Sequence, residues 1–108
     1  MSEFAGTLRE RVVIERPVSV RNAMGLQEPG WEQVCRCHAS VALESAGPEN
    51  EAQSLSAMPR YRVSIRRRDG IAIDQRIGWK GRKYRVRQLL EDPLEKDRLT
   101  MRCEEVRA

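Results

Sequence analysis

The stretch from Arg60 to Val86, RYRVSIRRRDGIAIDQRIGWKGRKYRV, constrains the fold most. Tyr61, Val63 and Ile65 alternate with Arg60, Arg62, Ser64 and Arg66. A period of two makes a strand with one apolar and one charged face, because successive side chains leave opposite sides of a pleated backbone. Asp69-Gly70 supplies a turn, and Lys80-Gly81 supplies another between Ile77-Gly78-Trp79 and Tyr84-Arg85-Val86. Two or three antiparallel strands joined by tight turns are expected, with the remaining strands packed around them.

Charge is unevenly spread. From Arg60 to Arg87 the chain carries eleven Lys/Arg against two Asp, a net of +9, while the whole chain is +4. The rest therefore sums to −5, and the reading is an acidic body carrying a basic sheet. Outward charges on strands also keep an edge-rich β protein soluble, so a basic face does not by itself mean nucleic acid.

At 108 residues the chain is expected to form one domain over 1–108, with a modest core. Aromatics are only 5%, with Phe4 the sole Phe, and 33% of residues are charged. That mixture suits a small β domain that gains burial from partners, not one with a deep substrate pocket. No apolar run approaches the roughly 20 residues that span a bilayer, and no secretory signal is evident. A soluble protein made in the cytosol, without membrane contact, is expected. Three cysteines, Cys35, Cys37 and Cys103, cannot all pair, and they read as free, small core residues.

Along the chain, Leu8–Arg16 reads as a strand with Leu8, Glu10, Val12 and Ile14 on one face. Pro17 ends it or marks an edge. Arg21–Gly25 is a turn, with Gly25 free to take positive φ, and Pro29-Gly30 reads as a second break. Trp31–Leu43 is the longest strand candidate, with Trp31, Cys35, Cys37, Ala39, Val41 and Leu43 sharing a face. Glu44–Pro59 has no apolar alternation and reads as one long flexible, projecting loop. Asp92-Pro93 marks an acidic turn, and Arg98–Val106 closes the chain as a strand with Leu99, Met101 and Cys103 inward. About six strands and no helix give an all-β fold, a small antiparallel β-barrel or sandwich.

Chemistry is hard to find. Cys35-Arg36-Cys37-His38 resembles a metal motif, but strand alternation sends His38 away from the two thiols. No nucleophile elbow, phosphate-cradling glycine pattern or paired catalytic acids stand out. No metal, cofactor or catalytic residue is expected. Trp31 and Trp79 fit rim packing or contact with a neighbouring subunit, where Trp and Arg are enriched.

The ordered pieces resemble the head–tail joining proteins of long-tailed bacteriophages and gene-transfer particles. Gly6-Thr7-Leu8-Arg9-Glu10-Arg11 leads the first strand to Arg16-Pro17; Gly25, Trp31-Glu32 and Ala39-Ser40-Val41 follow. After a variable loop come Tyr61-Arg62-Val63-Ser64-Ile65-Arg66-Arg67-Arg68, Gly70-Ile71, Gly81-Arg82-Lys83-Tyr84-Arg85-Val86 and Cys103-Glu104-Glu105-Val106. The resemblance implies a non-enzymatic β-barrel that assembles as a homo-oligomeric ring in the virion neck, after assembly in the host cytoplasm. Its partners would be a portal or adaptor protein and a tail-terminator protein, as head closure, stopper or adaptor, with packaged DNA passing through. On this reading Glu44, Pro48, Glu49, Asn50, Glu51 and Gln53 belong to a channel loop helping to gate DNA. Trp31, Arg60, Arg62, Arg66, Trp79, Arg82 and Arg85 would form subunit or partner interfaces. Two other readings stand beside it. One is a basic module with Arg60, Arg62, Arg66, Arg82, Arg85 and Arg87 on nucleic-acid phosphates. The other is a small enzyme, in which His38 would have to matter.

Overall fold

A computed structural model describes residues 6–45 and 59–106. Six strands follow in chain order: β1 (Glu10–Arg21), β2 (Gln27–Ser45), β3 (Arg60–Arg66), β4 (Arg76–Trp79), β5 (Arg82–Leu90) and β6 (Arg98–Val106). They close into a barrel in the order β1-β2-β3-β6-β5-β4, every neighbouring pair antiparallel. Closure gives each strand two neighbours within the barrel and removes free edges there.

The inward faces are those the alternation predicts. Val12 and Ile14, Val63 and Ile65, and Leu99, Met101 and Cys103 are all buried. Ile77, Tyr84 and Val86 complete the filling from β4 and β5. A six-stranded barrel is narrow, and small residues such as Cys35 and Ala39 on β2 leave room for the larger side chains opposite. Ser64 is buried on the outer side of β3, where its hydroxyl lies 3.1 Å from that of Thr100 on β6. The β4–β5 turn has Lys80 at φ 50° and Gly81 at φ 79°, the paired left-handed geometry that a two-residue hairpin favours.

Several boundaries differ from the sequence reading. Of the two readings of Pro17 the edge holds: the strand continues to Arg21, and Pro17 pairs with Trp31 on one side only. Pro29-Gly30 is likewise inside β2, opposite Ser19 and Val18. Beyond Glu15, β1 pairs only with β2, because β4 reaches only Val13–Glu15. Both prolines therefore lie on a two-stranded arm whose outer edges need no donor. Arg87–Leu90 continues β5 past a bulge at Val86/Gln88. Trp31 does not share a face with Cys35. A bulge opposite Ile14/Glu15 makes Val34 the extra residue, which turns Trp31 to the outer side with Glu15. Leu43 is exposed at the end of β2. Glu44 belongs to β2, not to a loop. Of the projecting loop expected over Glu44–Pro59, residues 46–58 lie outside the described residues.

Candidate assembly surfaces

The outer wall is not the bare basic face that a charge count implies. Carboxylates from adjacent strands meet most of its arginines. Arg62 binds Glu44 at 2.7 Å, Arg102 reaches the same carboxylate at 3.2 Å, and Arg87 binds Glu104 at 2.8 Å. Arg60 also approaches Glu104 (3.6 Å), Arg82 approaches Glu105 (3.3 Å), and Arg85 stands 4.0 Å from Asp74. Such exposed pairs add little stability each, but they neutralise the field of the wall. Arg66 differs, being exposed and without a carboxylate partner among the described residues.

The most enclosed charge cluster lies at the β1–β4 seam. Glu15 accepts from Arg76 at 2.6 Å and from Lys83 at 3.3 Å. Burial works to raise the Glu15 carboxyl, but the hydrogen bonds and charges of Arg76 and Lys83 outweigh it and hold the pKa below its ordinary value. Arg76 also lies 4.1 Å over the ring of Trp31, and Arg85 lies 5.6 Å over the same ring. Trp31 thus works as a flat outer platform for two cations. The register makes this possible, since Arg76 pairs with Glu15 on one side and with Arg85 on the other.

Trp79 has the opposite setting. It follows Ile77 on the inward face and meets Tyr61 and Tyr84 with ring centroids 5.9 and 5.8 Å apart; Tyr61 and Tyr84 are 5.1 Å apart. Inclined rings at these distances place edges against faces, and the three fill one end of the barrel. The Trp79 indole N–H donates to Glu10 at 2.9 Å, which satisfies its only polar atom. Burial, with Tyr61 and Glu105 nearby, raises the pKa of the Tyr84 hydroxyl.

Among the cysteines, burial pushes the Cys103 thiol up to about 12. Burial and the adjacent Cys35 push Cys37 up to about 11. These are reluctant thiolates, the reverse of a nucleophile or ligand setting. His38 is exposed on the outer side of β2. No metal-holding group of His, Cys, Asp and Glu occurs among the described residues.

Of the residues assigned to a channel loop, Glu44 is a strand residue held by Arg62 and Arg102. Pro48, Glu49, Asn50, Glu51 and Gln53 lie outside the described residues. Of those assigned to interfaces, Arg60, Arg62, Arg82 and Arg85 are engaged within the chain, Trp79 fills the barrel end, and Trp31 and Arg66 face outward. The structure adds apolar side chains that alternation did not single out. Met24 and Leu26 are 83% and 61% exposed at the tip of the β1–β2 arm, beside exposed Val20. Asn22 shapes that tip by accepting from the N–H groups of Met24 and Leu26 at 2.9 and 3.0 Å, with Gly25 at φ 81°. The signal was present as Met24-Gly25-Leu26, two large apolar residues where a turn ordinarily carries polar ones.

A closed barrel with an ordered arm, an aromatic-filled end and a charge-paired wall defines a small structural β-barrel whose exposed features suit contacts with other proteins. The model of the phage head completion protein family matches residues 5–106, and the chain belongs to that family. It is a structural virion component of the head–tail region. In fold it is similar to protein SF1141 from Shigella flexneri 2a, a solution structure, with a TM-score of 0.71, 27% identity, and 93% and 94% of the two chains covered. It is also similar to a chain in the virion of a native gene transfer agent particle, with a TM-score of 0.66, 23% identity, and 94% and 97% covered. No curated protein matches it.

Proposed function

We propose that the chain closes the neck of a DNA-filled head as a homo-oligomeric ring, bridging a portal or adaptor protein to a tail-terminator protein. The carrying observation is the match to the head completion family over residues 5–106. Two features support it. The closed barrel leaves its two-stranded arm as the exposed β ribbon, with Val20, Met24 and Leu26 available to a partner. The segment between Ser45 and Pro59 carries Glu49 and Glu51 and leaves from the β2–β3 end. Acidic residues beside a channel repel phosphates, so packaged DNA slides instead of sticking, and this segment is the proposed gate. The chain assembles in the host cytoplasm and acts as head closure, stopper or adaptor.

The nucleic-acid-binding alternative is weaker. Of the six arginines assigned to phosphates, Arg60, Arg62, Arg82, Arg85 and Arg87 already have carboxylate partners within the chain. Deleting Asn50–Ser56 tests the gate. The expected result is heads that assemble but lose DNA while the isolated barrel still folds; full retention of DNA would count against the gate. Removing the whole chain should leave heads that fail to join tails.

A further inference from the structure

Two unlike patches occupy different sides of the barrel. The first is on the β1–β2 wall. There Arg11, Val13, Arg36 and His38 face outward, because they alternate with Val12, Ile14, Cys35 and Ala39, which are buried. They line a concavity of about 330 Å³. Val13 forms its half-buried apolar floor, bordered on the β4 side by the Lys83 side chain, which lies over Gly78. Arg11 and Arg36 have no carboxylate partner among the described residues, unlike eleven other basic side chains.

The connection between β5 and β6 carries a knob, which lies beside the outer faces of β3 and β6. The β5–β6 loop, Glu91–Asp97, holds Leu94 90% exposed between Asp92 and Glu95. Its shape is set by its own bonds. The Asp92 carboxylate accepts from the Leu94 N–H at 2.9 Å, and the Asp92 carbonyl accepts from the Glu95 N–H at 2.9 Å. Arg67 ties the loop down, donating to the Lys96 carbonyl at 3.0 Å and pairing with Glu91 at 2.9 Å. A leucine left in water forgoes the burial that a partner would supply. An ordered loop that presents one between acids is shaped for a partner with an apolar floor and a basic rim.

Both halves of that contact are on this chain. Because they lie on different sides of the barrel, the contact passes from copy to copy, which is the heterologous geometry that can close into rings. We infer that copies join head to tail, with Leu94 of one seated on Val13 of the next, between Arg11 and Arg36. This inference rests on the ring reading above and names its interface. Charge on the rim steers and orients the docking, while the leucine supplies the burial.

Disulfide trapping in assembled particles tests it. The full chain carrying Val13→Cys and Leu94→Cys together replaces the natural chain, and the particles are oxidised and run on non-reducing gels. A ladder of covalent multimers is expected, while either single variant gives none beyond background. Separately, Arg36→Glu should lower incorporation about tenfold, and adding Glu95→Arg to the same chain should restore it. Rings visible in the necks with neither ladder nor charge effect would overturn this interface alone. Dimers from Val13→Cys by itself would also overturn it, because they mark a two-fold contact. Particles in which the chain forms no ring would overturn the ring reading and this interface with it.

Discussion

Glu15 joins three strands through one carboxylate oxygen, which accepts from both Arg76 and Lys83, and its protonation therefore reports on the closing seam of the barrel. Arg76 and Lys83 favour the ionised form, so the folded protein holds this proton more weakly than the unfolded chain does. The stabilisation is complete above the ordinary carboxylate value of 4.5 and is lost as pH falls through the lower folded value. Thermal unfolding followed between pH 7 and pH 3 should show that loss. Glu15→Gln should remove part of the slope and cost about 1 kcal/mol near neutrality. The thiols act at the other end of the scale. Cys103 and Cys37 keep their protons to about 12 and 11 when folded but only to 9.0 when unfolded, so stability declines as pH rises above 9.0. At pH 8, alkylation followed by mass spectrometry should label half-buried Cys37 before buried Cys103. Equal rates without unfolding would show that the core is open. The buried cysteines were legible in the sequence, but the Glu15 cluster was not, because Glu15 and Arg76 stand 61 residues apart. Pairing across a closing seam is a property of topology, not of local pattern.

At the scale of elements, alternation carried most of the information. Tyr61, Val63 and Ile65 on β3, and Leu99, Met101 and Cys103 on β6, read as inward and are so, because these strands are uninterrupted and have a charged outer side. The β4–β5 turn was readable because Lys80-Gly81 meets a specific backbone demand. The misreadings share one cause. Whether a proline breaks a strand depends on which neighbour is present, and Pro29 sits where only one exists. The bulge at Val34 depends on the register with β1, and it moved Trp31 from the expected inner face to the outer one. Trp79 could be placed near a strand end, but not in its ring cluster. Trp79→Ala should cost about 2–4 kcal/mol in denaturant unfolding, since it opens the barrel end and leaves the Glu10 carboxylate without its indole donor. A loss below about 0.5 kcal/mol would mean that the three rings do not hold that end closed.

For the whole molecule, the charge asymmetry along the chain largely disappears in the fold. Arginines concentrated between Arg60 and Arg87 meet glutamates supplied by β1, β2 and β6, so the +9 of that stretch does not become a uniformly basic surface. The isolated protein should accordingly bind random duplex DNA no more tightly than about 10⁻⁴–10⁻⁶ M at physiological salt, measured by fluorescence anisotropy. Tighter binding with a steep salt slope would return weight to the phosphate-binding reading. What the fold leaves unspent is directed outward: an apolar arm tip, a basic concavity and an acidic knob, the features of a part made to be built into something larger. The most direct measurement is an electron cryomicroscopy reconstruction of particles that contain this chain. The account predicts a closed circle of six-stranded barrels between head and tail, with the 46–58 segments turned toward the DNA path. Barrels found elsewhere in the particle, or present there without forming a circle, would contradict it.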